Sequence, residues 1–191
     1  DPGPAERRLR LIAVGTVPIV IVGGLWNEGI ETATRTPLVS ATALLLGAGL
    51  LLLIERIGSH GRADDTLGPG GAFAIGAAQA VALIPGVSRS GATIAAGMLC
   101  GLRRDAAARF AFLLSVPAIL AAAAKATLDL QANGWVGVDG RLFAVGMVTS
   151  AVVGYVTVKY FIRFLATHRL DVFAWYRVVL ALGTFTWLWA Q

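Results

Sequence analysis

The feature that most constrains the fold is an interrupted apolar segment over residues 71–102. Apolar helical sequence enters and leaves this segment, but Pro85, Gly86 and a run of hydroxyl residues with one arginine interrupt its middle. Proline cannot donate a backbone hydrogen bond and disfavours helical angles in the residue before it. The segment therefore predicts two helices joined by a break rather than one continuous helix.

The two arms of this segment are too short to cross a bilayer. As α-helix, residues 71–84 would rise about 21 Å and residues 94–102 about 14 Å, whereas a hydrocarbon core of about 30 Å needs roughly 20 residues. We therefore predict a re-entrant helix-loop-helix over residues 71–102, which enters the membrane and returns to the side that it left.

The break carries a candidate anion site. Irregular backbone and an arginine at membrane depth are both costly, and both indicate function. Arg89 stands between Ser88 and Ser90 where the second arm begins, so hydroxyls, open amides, a helix dipole and a guanidinium converge there. Gly86 and Gly91 would let the backbone approach a phosphate. The alternative is that the serines only cap the second arm while Arg89 extends to the lipid headgroups.

Composition places the chain among polytopic α-helical membrane proteins. Of its 191 residues 57% are hydrophobic, and several apolar runs approach the length of a membrane span. The single cysteine, Cys100, excludes a disulfide framework or a cysteine metal cage. The net charge of +5 comes mainly from arginines in loops, which favours contact with anionic headgroups. The basic strip with interleaved aromatics that nucleic-acid binding needs is absent from the sequence.

The apolar runs predict an all-α fold of about five membrane-spanning helices plus the re-entrant element, in one domain over residues 1–191. Polar loops are expected at residues 27–36 and 129–140. The predicted spans are residues 11–26, 37–54, 106–128, 141–165 and 172–190.

The basic loops predict a topology. The N-terminus and residues 55–70, 103–105 and 163–169 carry most of the arginines, so the positive-inside rule places them in the cytoplasm. The rule is obeyed throughout only if the residues of the re-entrant element return to the side from which they started.

Residues 85–93 read Pro-Gly-Val-Ser-Arg-Ser-Gly-Ala-Thr and match every fixed position of the pattern P-G-x-S-R-S-x-x-T. This stretch resembles the second signature of the undecaprenyl-diphosphate phosphatases of the bacitracin-resistance type. Residues 101–104, 108–117 and 173–177 are similar to later segments of that family, so the resemblance covers essentially the whole chain.

The resemblance implies a bacterial plasma-membrane enzyme that removes the terminal phosphate of undecaprenyl diphosphate and so recycles the lipid carrier of cell-wall synthesis. It also implies a divalent cation, Mg²⁺ or Ca²⁺. By position, Arg89 and Ser88 become the catalytic candidates. The candidate substrate-binding residues are Ser90, Thr93, Gly86, Gly91 and Gln79.

The family's first signature, E-x-x-x-E followed by F-L-P-x-S-S-T-G-H, does not occur in this sequence. Glu28 and Glu31 resemble it superficially, but the serines and the histidine do not follow, so we interpret them as loop residues. His60 and His168 are likewise interpreted as solvated loop residues. The cation ligands and the catalytic histidine are therefore expected upstream of Asp1, in a longer chain of which these residues form the later two thirds.

The sequence leaves several alternatives open. A polyprenyl-phosphate flippase would use the same phosphate clamp, because broken helices aimed at an anion are typical of secondary transporters. An inactive scaffold is a third possibility and ranks behind both. Gln79 could either contact the ligand or pack between helices. The expected partners are a polyprenyl diphosphate lipid and the membrane, with no nucleic acid, and a homo-oligomer is left open.

Overall fold

The structure is a computed structural model that describes residues 3–57, 61, 66–133 and 139–190. The described residues form helices without a strand. The helices are α1 (Pro4–Thr34), α2 (Pro37–Ile57), α3 (Pro69–Val81), α4 (Arg89–Leu99), α5 (Arg104–Asn133), α6 (Gly140–Thr167) and α7 (Asp171–Trp189).

Five of these helices, α1, α2, α5, α6 and α7, are long and apolar enough to cross a membrane. The prediction of an all-α polytopic membrane protein is thus confirmed. That residues 1–191 form one domain stays a prediction, although the apolar core draws residues from every helix, from Leu11 in α1 to Ala174 in α7.

The polar loops were predicted too long. Helix α1 continues through residues 27–34, and Thr34 Oγ1 donates to the carbonyl of Ile30 at 2.6 Å. The helix ends only where Pro37 approaches, and Thr36 Oγ1 accepts from Val39 N–H at 3.2 Å to cap α2. Helix α5 similarly runs to residue 133. Polar residues with adequate helix propensity extend a helix beyond the bilayer, so hydropathy alone does not mark its end.

Helices α3 and α4 form the predicted hairpin. The chain leaves helical conformation after Val81 and re-enters it at Arg89. The start of α3 lies beside the end of α4, since Cys100 Sγ is 3.9 Å from the carbonyl oxygen of Gly71. The break between the two helices is observed, whereas a re-entrant path of this hairpin through a membrane stays a prediction.

The hairpin is held by neighbours on both sides. Helix α3 packs along α1, and α4 packs against α5 and α2, while α2 and α7 pair along their lengths. Helix α6 is different, because Leu165 is the one buried residue among those described on it. The hairpin thus lies inside the bundle, whereas α6 lies at its edge.

Candidate anion-binding site

The break between α3 and α4 is a series of tight turns. The N–H groups of Leu83 and Ile84 donate to carbonyls one turn earlier at 3.1 Å, and Val87 N–H donates to Ile84 O at 3.2 Å. Gly86 has a φ of 91°, which favours glycine. A Cβ atom there would lie 2.9 Å from Ser40 Cα on α2, so close packing requires glycine as well.

Ser88 caps the N-terminus of α4. Its Oγ accepts from Gly91 N–H at 3.2 Å, and its carbonyl accepts from Ala92 N–H at 3.0 Å. It is the one non-glycine residue with positive φ in the described part of the chain, at 64°. Of the alternative in which both serines only cap the second arm, the cap by Ser88 is observed. The predicted catalytic role of Ser88 stays a prediction.

The start of α4 offers open hydrogen-bond donors. In the hydrogen bonding of the described residues, the backbone N–H groups of Ser88, Arg89 and Ser90 have no acceptor. Such groups carry the positive end of the helix dipole and favour an anion. The side chain of Arg89 is exposed at the same place.

Arg89 lines two cavities. The larger has a volume of about 1050 Å³ and lies among α1, α4, α5 and α6, with three further cations, Arg8, Arg109 and Lys159, in its wall. Its hydroxyl groups belong to Ser90, Thr93, Ser115 and Tyr155, and most of the remaining wall is apolar. The smaller cavity, of about 570 Å³, contains Lys125 and Asp129.

The two cavities occupy opposite halves of the bundle. Along α5 the larger cavity uses Arg109 to Ile119 and the smaller uses Ala118 to Asp129. Along α1 the order is the same, with Arg8 in the larger cavity and residues 19–24 in the smaller. Arg89 therefore stands where two spaces from opposite ends of the bundle meet.

Some of the other predicted site residues line the larger cavity and others do not. Ser90 and Thr93 line the larger cavity with Arg89, although Thr93 is buried and its hydroxyl also contacts the carbonyls of Arg89 at 2.8 Å and Ser90 at 3.2 Å. Gly91 packs beneath the cap, where a Cβ atom would lie 3.1 Å from Ser88 Oγ. Gln79 is fully buried, its amide has no hydrogen-bond partner among the described residues, and it lines neither cavity.

Arg177, for which the sequence predicts no role, lies against the break. This arginine is 6% exposed within α7 and donates to the carbonyls of Gly86 at 2.9 Å and Val87 at 3.2 Å. The available signal was an arginine inside an otherwise apolar span, which is costly and indicates a specific role.

His168 lines neither of the two cavities beside Arg89. The ring of His168 stacks on that of Phe164, with 4.2 Å between the ring centroids. His168 is exposed at the end of α6, as expected of a loop residue. His60 and the side chains of Glu28 and Glu31 lie outside the described residues.

The described residues do not fit a divalent cation. No group of three or more His, Cys, Asp or Glu side chains is assembled among them. Among the described residues, the wall of the larger cavity has four cationic side chains and no carboxylate, which favours anions over metal ions.

Fold and site together define a polytopic α-helical membrane protein with a cationic cavity at a broken helix. The family model described as bacitracin resistance protein BacA matches residues 3–183. The chain therefore belongs to the BacA family.

Curated relatives agree with this assignment. The chain is 44% identical to a protein named undecaprenyl-diphosphatase from Rubrobacter xylanophilus over 178 residues, which are 93% of the chain and 65% of the relative. Proteins of the same name from Alcanivorax borkumensis and Thermodesulfovibrio yellowstonii are 43% and 42% identical, covering 93% and 94% of the chain and 67% and 69% of the relatives. The chain thus spans about two thirds of the length of these relatives.

Proposed function

We propose that this protein takes part in the hydrolysis of undecaprenyl diphosphate to undecaprenyl phosphate and phosphate in a bacterial plasma membrane. The observation that carries the proposal is the position of Arg89, between the open N–H groups of α4 and a cavity with three further cations. The curated relatives bear the name undecaprenyl-diphosphatase, and none of the observations favours a flippase.

The diphosphate headgroup would bind at the start of α4. Arg89 presents a planar guanidinium that grips two phosphate oxygens at once, which lysine does not reproduce. The N–H groups of Ser88 and Ser90 would bind further oxygens, with the hydroxyl of Ser90 beside them. Since phosphoryl transfer depends mainly on positioning and charge neutralisation, these groups would orient the headgroup and stabilise its developing charge.

The larger cavity suits a lipid substrate. Its apolar wall on α5 and α6 would accept the first isoprene units while the headgroup reaches Arg89, and a remaining long tail could stay among the lipids. The residues of this wall are Phe112, Leu113, Val116, Ile119, Val158 and Ile162.

We expect part of the chemistry to come from residues other than those described. The side chains beside Arg89 include no histidine or carboxylate in the larger cavity, so no described group there acts as a general base. The expected Mg²⁺ or Ca²⁺ finds no ligand cluster among the described residues, so no step is assigned to it. The proposed role of this chain is therefore to bind and orient the diphosphate. A homo-oligomer also remains a prediction.

The direct test is release of phosphate from undecaprenyl diphosphate by the full-length protein in detergent or proteoliposomes. We expect Arg89→Ala to lower kcat/KM about 100- to 1000-fold, because one lost donor to the developing charge costs about 2.7–4 kcal/mol. The matched control is Arg163→Ala, an exposed arginine on α6 that lines neither cavity beside Arg89. Wild-type kinetics in Arg89→Ala would overturn the assignment of Arg89, and absence of hydrolysis in the wild type would overturn the function.

A further inference from the structure

Arg177 is a buried cation with an unusual set of partners. It lies within α7, is 6% exposed, and forms no ion pair with any residue that the structure describes. Within the described part of the chain, its guanidinium instead donates only to backbone carbonyls. A charge buried without a carboxylate is costly, so simple stabilisation of the bundle does not explain the choice of arginine here.

The carbonyls belong to two separate segments. On α2, Nε donates to Leu44 O at 3.3 Å and Nη2 to Ala43 O at 3.2 Å. In the break, Nη2 donates to Gly86 O at 2.9 Å, and both Nη atoms donate to Val87 O at 3.2 Å. The guanidinium therefore fastens the break to α2 and α7 at the two residues that precede the cap of α4.

Glycines make room for this contact. A Cβ atom at Gly47 would lie 2.7 Å from Arg177 Cζ, and one at Gly91 would lie 3.2 Å from Arg177 Nη1. The guanidinium is thus enclosed between α2 and the first turn of α4. A side chain larger than hydrogen at Gly47 would therefore meet the guanidinium.

The contact also sets the direction of the anion-binding amides. A peptide unit is planar and trans, so its N–H points opposite to its carbonyl. Because Arg177 holds Val87 O, the N–H of Ser88 must point away from Arg177. That N–H is among the open donors at the start of α4.

We propose that Arg177 is a positioning residue for the phosphate site, which fixes the backbone of Gly86 and Val87 so that the amides of Ser88 to Ser90 and the side chain of Arg89 face the substrate. This inference rests on the proposed function and adds a residue to it. Its loss should lower kcat far more than it raises KM, since a misplacement of about 1 Å can cost about 100-fold in rate.

The experiment compares Arg177→Ala with wild type in the full-length protein by two independent measurements. Hydrogen exchange of residues 83–92 reports whether the break is released, with residues 94–98 of α4 as internal reference. Phosphate release with and without added guanidinium ion reports positioning, because the ion can enter the vacated space. We expect faster exchange confined to the break, about 100-fold lower kcat, and about tenfold recovery with guanidinium but not with methylammonium.

A second pair of variants covers the case in which Arg177→Ala does not fold. Gly47→Ala pushes the guanidinium off the carbonyls without removing it, and should accelerate exchange of the break and lower kcat about tenfold. Gly49→Ala on the same helix has open space at its Cβ position and should behave as wild type. Unchanged exchange in the break, or lost activity that guanidinium does not restore, would overturn the proposal. If the wild-type protein itself releases no phosphate, the proposed function is wrong. The hydrogen-exchange result still tests whether Arg177 holds the backbone of the break.

Discussion

Ser88 shows how one residue shapes the whole site. Its φ of 64° is unfavourable for a residue with a side chain, yet its Oγ accepts the N–H of Gly91 and so begins α4. The same conformation turns the chain so that the next two amides stay open. The hydroxyl oxygen is thus already used by the fold, which argues against its use as a nucleophile.

Replacement of Ser88 separates these roles. We expect Ser88→Ala to lower the free energy of unfolding by about 1 kcal/mol through loss of the cap, and Ser88→Gly by only a few tenths, since glycine accepts the positive φ. Ser88→Gly should keep phosphate release within about tenfold of wild type, because its backbone amides remain in place. Thermal unfolding and kinetics of both variants provide the test. A loss of all activity in Ser88→Gly despite wild-type stability would show that the hydroxyl takes part in the reaction.

The sequence alone was sufficient to predict which residues of the break form the site, but not which residues support the break. Arg89, Gly86 and Gly91 stand next to one another, so their meeting follows from local chain geometry. The partners of Arg177 are backbone carbonyls 90 to 134 residues away. No residue type marks a carbonyl as an acceptor, and therefore this contact could only be seen in three dimensions.

At the scale of elements, the hairpin is fixed by its crossing with α1. Gly15 and Gly76 meet there so closely that a Cβ atom at Gly76 would lie 2.7 Å from the carbonyl carbon of Gly15. A Cβ atom at Gly15 would lie 2.9 Å from Ala72 O and 2.8 Å from Leu114 Cδ1. Small residues let helix backbones approach in membranes, and here they place α3 directly against α1.

Gly76→Ala should disrupt this crossing. The added methyl group meets backbone atoms, which cannot rotate away, so we expect a loss of about 2 kcal/mol of stability from overpacking. The measurement is thermal unfolding in detergent. Gly70→Ala in the first turn of α3 is the control, since open space surrounds its Cβ position and the gain in helix propensity should leave stability equal or higher. Equal stability of the two variants would contradict the close approach.

Hydropathy predicted which helices exist more accurately than where those helices end. All five spans and both arms of the hairpin are present, because 18 or more apolar residues have few alternatives to a helix in a bilayer. The predicted loop at 27–36 is instead helical to Thr34. Its polar residues indicated contact with water, which is compatible with a helix that projects from the membrane.

At the scale of the whole molecule, the arginine-rich segments gather at one end of the bundle. Arg7 Nη2 donates to Leu67 O at 2.8 Å. Glu55 Oε1 accepts from Arg104 Nε at 2.8 Å and from Leu170 N–H at 2.9 Å. The ends of α2 and the starts of α5 and α7 therefore lie together, as the topology predicted from basic loops requires. The hairpin must return to this end because α5 starts here.

Glu55 is the residue on which this junction depends. Its side chain is fully buried and accepts hydrogen bonds from Arg104 Nε at 2.8 and 3.1 Å, from Arg104 Nη2 and from Leu170 N–H, while Arg169 Nε lies 3.5 Å away. Removing one partner of a buried pair leaves the other uncompensated, so we expect Glu55→Gln to cost about 3 kcal/mol of stability.

The matched control is Glu6→Gln, which removes a carboxylate whose pair with Arg10 is more than half exposed. Such a pair contributes about 0.2–1 kcal/mol, so thermal unfolding should separate the two variants clearly. The expected losses of stability differ because the two carboxylates connect different parts of the fold. Glu6 pairs with a residue of its own helix, whereas Glu55 joins three chain segments separated by up to 115 residues. If both variants unfold like wild type, the junction at the arginine-rich end is not what holds α2, α5 and α7 in place around the hairpin.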